Sequence, residues 1–109
     1  MYKLKINNYE VEIKNAKNEI VKVPYDVKET IVTLALGPSN KHNGLGLLKM
    51  NKAVKKILEY EGDIIMLEDA EFGIIKKAVM GFEGLTRAEV ELCNRFETAE
   101  HIDANEIKK

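Results

Sequence analysis

The sequence predicts a small α+β domain: a small antiparallel sheet, made of an N-terminal hairpin plus one or two strands, covered by three to four helices. Three observations predict it. Residues 2–13 alternate apolar and charged side chains, the two-residue period of half-buried strands. From residue 47 onward apolar residues recur every three or four positions, the period of helices with one buried stripe. Strand signals come first and helix signals mostly after, an order that packs helices on one face of a sheet. With 109 residues, 45% hydrophobic and 32% charged, the chain is expected to be one domain, 1–109, with a core of its own.

Each element has its own local reason. Tyr2, Leu4 and Ile6 alternate with Lys3 and Lys5, and Tyr9, Val11 and Ile13 alternate with Glu10 and Glu12. Asn7-Asn8 reads as a two-residue turn, because Asn tolerates positive φ. The hairpin so formed sets Lys5 against Glu10 and Lys3 against Glu12 on one face, Ile6 against Tyr9 and Leu4 against Val11 on the other. Asn15 to Asn18 is a polar turn, and a third strand is expected at about Glu19 to Val23.

Asp26 to Leu36 contains β-branched residues that favour a strand, but its ends favour a helix. Asp26-x-x-Glu29 resembles a capping box, and Gly37-Pro38 is a helix stop. Gly37 to Gly46 is expected to be a flexible loop. Leu47 to Tyr60 is the helix around which the core is expected to form. Leu47, Met50, Val54, Ile57 and Leu58 share one arc; Lys49, Lys52, Lys55 and Lys56 share the other, with Leu48 among them. Asn51 would cap a second, shorter helix were the segment divided there.

Ile64 to Leu67 is a further strand, and Phe72, Ile75, Val79 and Phe82 mark a helix from about Ala70 to Phe82. Thr86-x-x-Glu89 is a capping box opening a last helix to Ala99, with Ala88, Leu92, Phe96 and Ala99 inward. Arg87, Glu91, Asn94, Arg95 and Thr98 are expected outward, Glu91 and Arg95 as an i,i+4 pair. Residues 104–109 read as a frayed tail.

Charge is uneven along the chain. Residues 1–58 hold eleven Lys against five Asp or Glu, a net of +6; residues 59–109 hold six Lys or Arg against thirteen acids, a net of −7. Such a split serves an anion surface on one half, or halves that neutralise each other within or between subunits. No apolar run is long enough to span a bilayer, no secretory signal opens the sequence, and Cys93 has no second cysteine to pair with. The expectation is a cytoplasmic protein without a membrane partner.

Motifs that carry chemistry are scarce. Gly44-x-Gly46-x-x-Lys49 lacks the spacing of a Walker loop and the third glycine of a dinucleotide fingerprint. Glu68, Asp69 and Glu71 are what the dipole of a helix N-terminus attracts, and no calcium loop surrounds them. His42 and His101 have no ligand-spaced neighbours, and Cys93 borders an apolar helix face, where a free cysteine behaves as a small hydrophobe. No catalytic residue, metal site or cofactor is expected. The candidate surface is the basic face of the organising helix, Lys49, Lys52, Lys55 and Lys56, with Leu48 and, on the last helix, Val90 as apolar residues where solvent prefers polar ones. Those lysines would also suit phosphates, although no aromatics or arginines accompany them.

The stretch I-M-L-E-D-A-E-F-x-I-I-K-K-A-V from Ile65, then F-x-G-L-T-R-A-E-V-E-L from Phe82 and E-T-A-E-H-I-D from Glu97, following a Lys- and Glu-rich hairpin, resembles small accessory proteins of tailed bacteriophages and prophages of low-GC Gram-positive bacteria. The resemblance implies a phage product that acts by binding another protein, in particle assembly or in regulating or blocking a host system. With no catalytic constellation among the residues, the expectation is a non-enzymatic interaction protein that binds a host or phage protein, with a homo-oligomer as a further option. A nucleic-acid-binding accessory role on the lysine face is the alternative.

Overall fold

The computed structural model describes residues 1–37 and 42–103. The elements are β1 (Tyr2–Lys5), β2 (Tyr9–Lys14), β3 (Ile20–Tyr25), α1 (Val27–Leu36), α2 (Gly44–Glu59), β4 (Ile64–Leu67), α3 (Asp69–Met80), a 3-10 helix (Arg87–Glu89) running into α4 (Val90–Glu97), and β5 (Glu100–His101). The class is α+β, as predicted, but the strands form two antiparallel sheets: β4-β1-β5 and, apart from it, β2-β3.

The expected hairpin between β1 and β2 is therefore absent. β1 is a central strand, with Tyr2 to Lys5 facing Leu67 to Ile64 on one edge and Tyr2 and Lys3 facing His101 and Glu100 on the other. β4 takes one edge along the whole strand, and β5 takes the start of the other at Tyr2 and Lys3. Burial decides the exchange: Leu4 and Ile6 are wholly enclosed, and the Ile6 amide donates to the Asp63 carbonyl at 2.7 Å, carrying the strand's path on past Lys5. Asn7 and Asn8 are a connector. The Asn8 side chain accepts the Val27 amide at 2.9 Å, satisfying an orphan donor of the first turn of α1.

β2 pairs with β3, Tyr9 against Tyr25 through Lys14 against Ile20. The turn between them is built by Asn15, whose Oδ1 accepts the amides of Lys17 and Glu19, and by Asn18 at φ 63°. This ribbon meets the core only at its base, where the Tyr9 and Tyr25 rings stack 4.7 Å apart.

The helices bury one contiguous core with β1 and β4, in which Phe96, Leu4, Ile6, Ile31, Ile57 and Leu67 are the largest fully enclosed side chains. Asp26 caps α1 by accepting the Glu29 amide, as its position implied. α2 is one uninterrupted helix, so Asn51 caps nothing; Asn43 is the cap and accepts the Gly46 amide at 2.7 Å. The helix thus starts three residues earlier than expected, inside the stretch read as a loop. Gly46 is suited to that cap, since a β-carbon there would stand 3.1 Å from Asn43 Oδ1. The remaining loop positions 38–41 and the tail 104–109 lie outside the described residues.

Candidate functional site

The buried stripe of α2 is Met50, Ala53, Val54 and Ile57. It is turned by about 40° from the expected arc, towards Ala53. Leu47 and Leu58 are left half exposed as a result. α2 packs against both α1 and α3, which also pack against each other, and its outer face carries Leu45 and Leu48, 65% and 69% exposed, one helical turn apart and interleaved with Lys49 and Lys52. The four lysines are not equivalent. Lys56 bridges to Glu71 of α3 at 3.0 Å and Lys55 reaches Glu59 at 3.9 Å, whereas Lys49 and Lys52 make no ion pair among the described residues.

Lys56 thus shares in the neutralisation the charge split implied. Lys3 with Glu100 and Lys56 with Glu71 each join the basic first half to the acidic second half within one chain, whereas Lys55 with Glu59 is an i,i+4 pair inside α2. All are exposed or partly exposed and individually weak.

Val90 is 64% exposed, but on a different surface from Leu48. It lines an open groove of about 810 Å³ between the start of α4 and the length of β2, together with Val11, Ile13, Ala88 and Asn94. Sequence periodicity showed Leu48 and Val90 as two misplaced apolar residues; only the tertiary arrangement separates them.

Arg95 departs from its expected outward position. It makes the predicted pair with Glu91, Nε to Oε2 3.2 Å, but its side chain is only 9% exposed. Its Nη1 donates to the Asn7 carbonyl at 2.6 Å and its guanidinium lies over the Tyr9 ring, 5.0 Å from the centroid. The Tyr9 hydroxyl donates to the Ala88 carbonyl at 2.6 Å. The groove floor is thereby clamped to the base of the ribbon. No local pattern signals this, because the partners are 79 to 90 residues apart.

The titratable groups that invited chemistry are dispersed. Glu71 accepts the Glu68 amide at 3.1 Å besides pairing with Lys56. Asp69 contacts the Met1 amino group at 2.8 Å and His101 Nε2 at 3.2 Å, and these two hydrogen bonds hold its carboxyl below the usual range. Asp69 and His101 do meet, on an open surface at 63% and 50% side-chain exposure, and neither lines the groove beside α4. His42 Nε2 is 2.7 Å from the Ala35 carbonyl. Burial pushes the Cys93 thiol up, which disfavours the thiolate. Among the described residues no three His, Cys, Asp or Glu side chains are placed to hold a metal ion, and no helix is long and apolar enough to cross a membrane.

Comparison with protein-family models, with curated proteins and with solved structures gave no match.

Proposed function

We propose that this chain is a non-enzymatic accessory protein of phage or prophage type that acts in the host cytoplasm by binding a protein. The partner is of host or phage origin, and binding either modulates or inhibits a host system or serves particle assembly. The observation that carries the reading is the outer face of α2. Leu45 and Leu48 stand 65% and 69% exposed, side by side, with Lys49 and Lys52 unpaired among the described residues around them. Two adjacent leucines in water are an unfavourable arrangement that a partner would relieve, at roughly 1.5–3 kcal/mol for each side chain fully covered. The surrounding ammonium groups favour a partner whose apolar patch has an acidic rim.

Affinity capture from host extract with the wild-type chain, the Leu45→Asp/Leu48→Asp double variant and the Lys49→Gln/Lys52→Gln double variant tests it. The expected result is a protein retained by the wild type, lost by the leucine variant and held more weakly by the lysine variant at low salt, with the gap to the wild type closing as salt is raised. A mobility-shift titration at two salt concentrations tests the alternative. Tight, salt-sensitive binding of DNA or RNA that vanishes when Lys49, Lys52, Lys55 and Lys56 become Gln would replace the protein partner with a nucleic acid.

A further inference from the structure

β2 is an edge strand, and its ladder phase is fixed. The Asn15 amide donates to the Glu19 carbonyl at 2.9 Å across the turn, so the hydrogen-bonded positions of the ribbon alternate from there through Ile13 with Val21, Val11 with Val23 and Tyr9 with Tyr25. The backbone N–H and C=O groups of Glu10, Glu12 and Lys14 accordingly point away from β3, and among the described residues no backbone group bonds to them. On the opposite edge of the ribbon the outward positions are Ile20, Lys22 and Pro24, and Pro24 has no N–H to offer. One edge is blunted; the other is open along the groove beside Val90.

The side chains of that open edge are also unfinished. Glu12 faces Lys22 across the ribbon, but Glu10 faces Pro24 and Lys14 faces Ile20, and neither Glu10 nor Lys14 makes an ion pair among the described residues. We infer that the open edge of β2 pairs antiparallel with β2 of a second copy of this chain, in the register that centres on Glu12. That register places Glu10 opposite Lys14 of the second copy, twice by symmetry, and Val11 opposite its Ile13, twice. Only even-numbered residues of β2 present outward hydrogen-bonding groups, so the register keeps those groups facing each other. A shift of two residues towards the N-terminus would instead set Glu10 against Glu12 twice; a shift of two towards the C-terminus would set Glu12 against Lys14 twice, but it overlaps only residues 12–14 of β2 against 10–14 in the Glu12-centred register.

The resulting four-stranded ribbon carries a continuous aliphatic face of Val11, Ile13, Val21 and Val23 from both copies. Its one like-charge contact, Glu12 on Glu12 at the two-fold axis, is flanked on each side by Lys22. This inference is independent of the α2 surface.

Sedimentation equilibrium across a concentration series, with circular dichroism to confirm folding, tests it on five exposed-residue variants. The wild type is expected to reach a dimer. Lys14→Glu and Glu10→Lys each weaken association about tenfold, and the double exchange Glu10→Lys/Lys14→Glu restores it to about the wild-type value. Glu12→Gln tightens it by removing the repulsion at the axis. A chain that stays monomeric to about 1 mM, a dimer indifferent to Lys14→Glu, or a double exchange that fails to rescue overturns the inference. So does a dimer abolished by Leu45→Asp/Leu48→Asp and untouched by the β2 variants, which would place the contact on α2.

Discussion

Removing the guanidinium of Arg95 would leave the Asn7 carbonyl without its 2.6 Å donor, Glu91 without its partner and the Tyr9 ring without its cation. Because the side chain is 9% exposed, little solvent screening discounts these contacts. Arg95→Gln is expected to cost about 1.5–3 kcal/mol in urea unfolding, and Arg95→Lys most of that, since an ammonium cannot satisfy the same fork. A second residue-scale expectation concerns acid. Asp69 is held below its ordinary value by the Met1 amino group and then His101, so protonating it is harder in the folded chain. Its contribution is present in full above the ordinary carboxylate range and is lost as pH falls through the depressed folded value. The stability gap between wild type and Asp69→Asn should therefore be open near neutrality and close in acid, as thermal melts across a pH series would show.

At the scale of elements, α2 makes the clearest comparison between pattern and packing. The helix and its amphipathic character were legible from the spacing of Met50, Val54 and Ile57; the rotation was not, because Ala53 is too small to register as apolar anchorage while Leu47 and Leu58 register strongly. Ala53→Glu, at a position 1% exposed, should cost more than about 3 kcal/mol, and Leu58→Glu, at 44% exposure, less than about 1 kcal/mol. Equal effects would mean that the buried stripe lies along the expected arc after all. Capping signals transferred best: Asp26 and the Thr86 and Glu89 box operate where the sequence placed them, because a cap depends on residues three apart. Strand pairing transferred worst. The charge and apolar matches that favoured a β1 to β2 hairpin are genuine local complementarity, but β1 pairs instead with β4 along its length and with β5 at Tyr2 and Lys3, partners some sixty to a hundred residues away. Of the candidate site, Leu48 and the free lysines were legible as misplaced or clustered residues; Leu45 was hidden in an assumed loop, and the β2 edge was hidden by assigning it to β1.

For the whole molecule, the two halves of opposite charge meet at two exposed or partly exposed pairs, Lys3 with Glu100 and Lys56 with Glu71. Among the described residues the most exposed apolar side chains include those of two separate surfaces: the α2 face with Leu45 and Leu48, and the groove between β2 and α4 with Ile13 and Val90. On the proposals made above the first would take a different protein and the second another copy of the chain, a division that would present the α2 face twice per dimer and raise effective affinity for a repeated or two-fold target.

Amide hydrogen exchange, recorded for the protein alone at two concentrations and again with its captured partner, tests this division most directly. The partner should slow exchange along the first turns of α2, around Leu45 to Lys52, while concentration alone should slow the outward amides of Glu10, Glu12 and Lys14. Protection by the partner centred on Asp69 and His101, with α2 unchanged, would contradict the account and return attention to those two side chains as a reactive pair.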